Sequence, residues 1–210
     1  MRVSCIASTD EPVVVCGIAA RTCSSPDKVT KIVFEDEAWD DSDKAEFEKT
    51  LRYCLKHGHE SVFEHVSFTF LIDGVTRACT HQLVRHRIAS YSQASMRRPQ
   101  QELSMIWPKC FQSSKTKGIA EKLYDHAVEA YIELLARGVK AEDARFVLPE
   151  GTLSTIVVTM NGRELRHFIQ MRDCDEAQWE IREVAQKMRE IAEKQFPLLF
   201  EDFNAESADK

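Results

Sequence analysis

The sequence predicts an α+β protein in one domain, and three observations carry that expectation. At 210 residues the chain is long enough for one well-buried core and short for two. Segments with helical periodicity outnumber segments that alternate as strands do. The strands do not alternate one for one with helices, as a doubly wound parallel sheet requires. Neither GxGxxG nor GxxxxGKS/T occurs, so no Rossmann or P-loop phosphate site is indicated.

Taken in order, residues 13–20 are apolar and β-branched and read as a strand without a visible partner. Ser42 is placed to cap a helix through Phe47, Leu51 and Leu55, with Gly58 just past its end. Residues 66–72 set Val66, Phe68, Phe70 and Ile72 on one side, the pattern of a half-buried strand, and Gly74 ends it. Residues 75–87 read as a helix. Residues 102–117 read as a loop around Trp107 and Pro108, with a Ser/Lys-rich patch at its end. A long amphipathic helix spans 119–137 and stops at Gly138, and a short one at 142–148 is closed by Pro149. Residues 152–160, rich in Thr, Val and Ile, read as a strand. Helices follow over 161–170 and 176–196, the second capped by Asp173 or Asp175, with Trp179 in the core. The domain is expected to run from 1 to 203, and 204–210 to be a frayed polar tail.

Composition narrows the function classes. The chain is 43% hydrophobic and 30% charged, as a soluble globular protein is. No stretch approaches the ~18 apolar residues of a membrane helix. Asp10 and Glu11 interrupt the apolar N-terminal segment, so no signal peptide is read and a cytoplasmic protein without membrane association is expected. The seven cysteines are odd in number and without CxxC spacing, which favours reduced, buried thiols over a disulfide framework or a zinc site. No cysteine lies in a recognisable nucleophile motif. A net charge of −6 argues against a general nucleic-acid binder.

Against that acidic background, residues 74–101 contain no Asp or Glu but hold Arg77, His81, Arg85, His86, Arg87, Arg97 and Arg98. Such an island suits a specific anion; a solvated face paired with acids elsewhere is the plainer reading. On a helix, Arg85, His86 and Arg87 would point about 100° apart. If the helix ends near them, a loop can turn them toward one extended ligand. Ala89, Ser90, Ser92, Ala94 and Ser95 let backbone N–H groups and hydroxyls come close to an anion, and Arg97 adds a bidentate fork suited to phosphate. Gln82 and Arg85, three apart, would share a helix face. From these residues alone the reading is a site for a phosphorylated ligand.

Three further segments are polar in a patterned way. GHESVFEH (58–65) offers His59 and His65, but they lie six apart rather than in HExxH spacing, so no metal site is expected. ARFVLP (144–149) and MNGRELRHFIQMRDCDEAQWEIR (160–182) supply Arg145, Arg163, Arg166 and Arg172. Each of these can equally be one half of a surface salt bridge worth under about 1 kcal/mol.

Together these segments resemble the flavin-dependent thymidylate synthases, the ThyX family. That family's signature is RHR, seven residues, then Ser, met here by Arg85-His86-Arg87, IASYSQA and Ser95. GHESVFEH, RACTHQLVRHR, ARFVLP and MRDCDEAQWEIR accompany it in order across residues 58–182. The resemblance implies a central, mostly antiparallel sheet flanked by helices, assembled as a homotetramer whose active sites are shared between subunits. It implies that Ser61, Arg85, His86, Arg87, Asn161, Gly162, Arg163 and His167 hold FAD, with His59 near the flavin ring. It places Gln82, Leu83, Val84, Arg85, Ala94, Ser95, Met96, Arg97, Arg145 and Arg172 around dUMP, with Gln93 touching both ligands. Three positions depart from the family's usual residues: Ser92 and His167 stand where Asn is common, and Gln93 where Glu is common.

The implied reaction is reductive methylation of dUMP to dTMP. NADPH reduces FAD, 5,10-methylenetetrahydrofolate supplies the carbon, and the final hydride comes from flavin. With no cysteine motif to add to the uracil ring, a guanidinium against the uracil edge would stabilise charge on the polarised ring, a role the resemblance gives to Arg172. Ser95, which has no His/Asp triad, reads as a hydrogen-bonding partner of dUMP and not a covalent nucleophile. Two other readings remain: an NADPH-dependent flavoprotein oxidoreductase without methyl transfer, and a nucleic-acid-binding module built on the Arg/His segment.

Overall fold

The computed structural model describes residues 1–34, 39–97 and 103–206. Strands β1 (Arg2–Ser8), β2 (Ser67–Thr76), β3 (Ala89–Gln93) and β4 (Leu153–Asn161) form one sheet in the order β1-β2-β4-β3. Thr69 faces Thr159 and Asp73 faces Thr155, with side-chain oxygens 3.0 and 2.6 Å apart. One number rises by four as the other falls by four, so β2 and β4 are antiparallel. Arg2–Asp73 and Thr9–Ser67 define the same relation between β1 and β2. The central strands carry buried rows, Phe68, Phe70 and Ile72 on β2 and Ile156, Val158 and Met160 on β4. This is the alternation expected for one face on a core.

Helices α1 (Pro12–Thr22), α2 (Pro26–Phe34) and α3 (Asp41–Lys56) come before β2. A 3-10 helix (Glu60–His65) leads into β2, and α4 (Arg77–Leu83) follows it. Helices α5 (Ser114–Ala136) and α6 (Ala141–Ala144) precede β4. After β4 come α7 (Gly162–Arg172), α8 (Trp179–Gln195) and α9 (Glu201–Glu206). The chain is therefore α+β.

Two compact units can be distinguished. The first comprises Met1–Arg2, Ile72–Arg85 and Tyr91–Val157; the second comprises Val3–Leu71, His86–Ser90 and Val158–Lys210. Every strand lends residues to both. In the first unit, Val75, Cys79, Leu83, Tyr131 and Ile156 are buried. In the second, α1 packs on α3, where a Cβ on Gly17 would overlap the Phe47 ring. Phe63, Leu165, Phe168, Ile181, Val184, Met188 and Phe196 are also buried in this unit.

Several local expectations are corrected. Residues 13–20 lie in α1: Pro12 at the first helical position presets φ, and Val14 and Gly17, three apart, face α3. Asp40, not Ser42, caps α3, accepting from the Asp43 N–H while the Asp43 side chain accepts from the Asp40 N–H, a reciprocal capping box. Gly74, at φ +75°, lies inside β2 and does not end it. Helix α4 stops at Leu83, so the RHR triplet lies beyond it and Gln82 and Arg85 share no helix face. Residues 114–117 form the first turn of α5, whose cap is Ser113, and are not loop. Gln178, accepting from the Glu180 and Ile181 N–H groups, caps α8 in place of Asp173 or Asp175. Trp179 is 38% exposed at the start of that helix and is not core. Residues 201–206 form α9, so the tail's first residues are helical; 207–210, like Arg98, fall outside the described residues.

All seven cysteines are free thiols. Burial pushes the Cys16 thiol up to about 12, which makes it inert. Cys54 and Cys79 are also buried, but Cys23 and Cys110 are exposed, contrary to the expectation that all would be core. Among the described residues no helix is long and apolar enough to cross a membrane.

Candidate functional site

In the second unit, α7 begins where its sequence says it should. The Asn161 side chain accepts from the Glu164 N–H at 2.8 Å, capping the helix. Gly162 follows because nothing larger fits: an added Cβ would lie 2.8 Å from the Phe63 carbonyl oxygen and 2.9 Å from Val66 Cγ2. Gly162→Ala is therefore expected to cost about 1–3 kcal/mol, since the tightest clash is with backbone that cannot rotate away. A lower urea midpoint with an unchanged m-value would register it.

From this start, Asn161, Arg163 and His167 line a cleft of about 420 Å³, together with Glu60, Glu64 and Ile88. Arg163 is exposed and pairs with Glu64 at 2.5 Å. Its surroundings thus match the plain surface-pair reading. Arg166 does not: it is only 2% exposed, and its guanidinium bonds Glu60, Asp202 and the Leu199 carbonyl.

Glu164, Phe168 and Arg172 recur every fourth residue and so share one face of α7. The imidazole of His86 lies along that face. Arg172 Nε donates to His86 Nε2 at 3.1 Å, Glu164 Oε1 is 3.5 Å from His86 Nδ1, and the Phe168 ring meets the imidazole edge-on at 4.9 Å between centroids. The His167 ring lies 5.8 Å away. His86 and Glu164 are both buried. Burial first, then the Arg172 and His167 charges, hold His86 down to about 4. Burial pushes the Glu164 carboxyl up.

A pH dependence follows. The unfolded chain protonates His86 near its ordinary 6.5, whereas the folded chain resists until about 4. The stability this contributes is complete above pH 6.5 and is lost as pH falls toward 4, to the extent of roughly 3 kcal/mol. The raised Glu164 acts in the opposite sense and returns part of it. Urea unfolding at stepped pH should show the loss in wild type, and His86→Gln should flatten it.

The other predicted residues fall into two groups. His59 is exposed just before the 3-10 helix and stacks loosely with Tyr53 and His57, at 6.3 Å from each. Ser61 and Arg87 are exposed. In the first unit, Leu83 is buried, Gln82 half-buried, and Val84 and Arg85 exposed in the turn after α4. Tyr91 Oη donates to the Leu83 carbonyl at 2.9 Å and ties that turn to β3. Gln93 Nε2 donates to Thr80 Oγ1 and Ser154 Oγ at 2.9 and 3.1 Å. An amide can donate to both hydroxyls where a carboxylate could only accept. Ala94 N–H continues the pairing with the Thr155 carbonyl. Ser95 Oγ accepts from the Arg97 N–H at 3.2 Å, which shapes the turn through Met96. Met96 and Arg145 line a cleft of about 260 Å³ with Arg77, His81 and Phe146.

Glu164 and Phe168 were not among the residues expected from sequence, and Arg77 and His81 were named there only as part of the acid-free island, with no ligand assigned. The fourfold spacing of Glu164, Phe168 and Arg172 was a visible signal for the first two. Arg77 and His81 share the acid-free island, four apart on α4.

Residues 4–198 match the family described as thymidylate synthase complementing protein. A flavin-dependent thymidylate synthase of Sulfurisphaera tokodaii is 47% identical over 171 residues, covering 78% of this chain and 66% of that protein. Its counterpart from Geobacter sulfurreducens is 39% identical over 206 residues, covering 96% of this chain and 86% of the relative. Among solved structures, the UMP/dUMP methylase PolB of Streptomyces cacaoi, bound with 5-Br dUMP, superposes with a TM-score of 0.82 at 26% identity, over 97% of this chain and 94% of that one. With its signature segments, its fold and a match of this extent, the chain belongs to the thymidylate synthase complementing protein family.

Proposed function

We propose that this protein is a flavin-dependent thymidylate synthase that methylates dUMP to dTMP, with 5,10-methylenetetrahydrofolate as carbon donor and NADPH as reductant. The observation that carries the reading is the partly buried hydrogen bond from Arg172 to His86, made beside a cleft lined in part by the N-terminus of α7. The names of the relatives and the nucleotide held by PolB support the same substrate and a flavin.

The cleft residues fit FAD. The start of α7 presents N–H groups and Arg163 to an anion, as a pyrophosphate requires, while Asn161 and His167 can hydrogen-bond and stack. A volume of about 420 Å³ takes one part of a dinucleotide and leaves the rest to other surfaces. Arg85, His86, Arg87, Ser61, Gly162 and His59 complete the assignment. When bound, FAD supplies the hydride that it has accepted from NADPH.

The chain's own groups bind and polarise. Ser95, Met96, Arg97 and Arg145 hold the nucleotide, Arg97 by a bidentate grip on phosphate, with Gln82, Leu83, Val84 and Ala94 shaping the pocket and Gln93 meeting both ligands. Arg172 stabilises charge on the uracil ring. Residues 1–203 act as one catalytic domain of a cytoplasmic homotetramer with shared sites. The exposed Phe146, Ile119 and Leu123, at 84%, 72% and 66%, give apolar surface for such assembly to cover.

The test is a visible absorption spectrum of the purified protein before and after NADPH and dUMP, with labelled methylene folate added. A yellow protein that bleaches with NADPH, responds to dUMP and yields labelled dTMP is expected. NADPH oxidation without labelled dTMP would favour a plain oxidoreductase, and a colourless protein that takes up no FAD would end the proposal.

A further inference from the structure

The geometry points to Glu164 as a positioning residue: its buried carboxyl fixes which nitrogen of His86 carries the proton, and His86 in turn aims the Arg172 guanidinium. The inference rests on the proposed function only for its link to turnover.

A neutral imidazole has one donor and one acceptor nitrogen, and an arginine Nε–H can only donate. The 3.1 Å contact therefore requires His86 Nε2 to be the bare acceptor and puts the proton on Nδ1. Glu164 Oε1, 3.5 Å from Nδ1, is the acceptor that favours this tautomer. Both side chains are less than one-tenth exposed, so water is a poor substitute. Phe168, edge-on to the ring, prevents the flip that would exchange the two nitrogens. Charged or titratable groups facing the imidazole include Arg172, His167 and Glu164, and Glu164 Oε1 is an oxygen placed 3.5 Å from Nδ1.

The order along α7 follows from the helix. Glu164 and Arg172 stand one turn either side of Phe168, so one imidazole between them bonds to Arg172 at one nitrogen and has the Glu164 carboxyl beside the other. If the carboxyl is removed, Nδ1–H loses this acceptor and the Nε2–H form gains population. In that form a donor is set against the Arg172 donor, and the guanidinium loses its anchor.

The experiment compares wild type, E164L and E164Q, each loaded with FAD. In protein labelled with ¹⁵N-histidine, the His86 signals are assigned by their disappearance in His86→Gln. Wild type should show a protonated Nδ1 and a bare Nε2. E164L should show Nε2–H or a mixture and lose about tenfold or more in kcat, taking as a guide the loss when the outer partner of a metal-ligating histidine is removed. KM for dUMP should move less; because Glu164 also lines the cleft, FAD content is measured in each variant and kcat is compared per bound flavin. E164Q, whose carbonyl oxygen still accepts, should keep Nδ1–H and lose less than E164L. If E164L does not fold, E164D takes its place, drawing the carboxylate back by one methylene. Nε2–H in wild type, an unchanged tautomer in E164L or E164D, or near-wild-type kcat once the tautomer has flipped, would each overturn the inference. Should wild type itself make no dTMP, the functional reading fails, while the tautomer comparison still decides the role of Glu164.

Discussion

Arg172→Ala is expected to retain FAD and its reduction by NADPH, yet form dTMP about 10²–10³ times more slowly, the usual loss when one preorganised donor to developing charge is removed. The side chain is half-buried at the last turn of α7, and its Nε is already committed to His86. That leaves the terminal nitrogens of the fork available to a ligand. The fork is thus held before substrate arrives, so little reorganisation is needed when charge develops on the ring. Arg172→Lys should recover little, because an ammonium on a flexible stem cannot bond His86 and the substrate in the same geometry. Single-turnover dTMP formation, measured beside flavin absorbance, separates this from loss of cofactor. If dTMP output stays near wild type, the role given to Arg172 is wrong.

Arg166→Ala should be the most damaging change to stability, costing about 3 kcal/mol, the lower part of the range for removing one partner from a buried ionic network. The lower part applies because Glu60 and Asp202 are 30% and 43% exposed and can be resolvated. The Leu199 carbonyl would lose its guanidinium donor, and the Phe203 ring, 4.7 Å from the guanidinium carbon, would lose its cation. Because Glu60 also lines the cleft, FAD affinity should fall along with the urea midpoint. Asp202→Asn removes charge but keeps an acceptor, so its midpoint should lie between those of wild type and Arg166→Ala. An Arg166→Ala midpoint within error of wild type would mean that the network contributes nothing net.

How much was legible beforehand varied with position in the fold. β2 and β4 were legible because they sit at the centre of the sheet and alternate over long runs. β1 and β3, at its two edges, were not. β3 is built from Ala, Ser, Tyr and Gln, and only the pairing partner turns such small polar residues into a strand. Its alternation then has a consequence the sequence concealed: Tyr91 and Gln93 turn inward while Ser90 and Ser92 face out. Residues 13–20 were misread because a β-branched run is ambiguous on its own; the close approach of Gly17 to Phe47 on α3 is a tertiary contact the sequence does not display.

The acid-free island, the RHR triplet, the Asn161 cap and the arginines of residues 160–182 are properties of local order along the chain, and they were enough to indicate a phosphorylated ligand and a family. Which of those side chains sit in water and which leave it was a separate matter. His86 is buried between two exposed arginines, and its partners Glu164 and Arg172 stand some eighty residues away. Equally, no local pattern separates Arg166, sealed by Asp202 and Leu199, from Arg163 three residues earlier, which stays in solvent. Desolvation depends on what packs over a group, and that is set by segments far apart in sequence. It is desolvation that keeps His86 neutral and gives Arg166 its weight in stability.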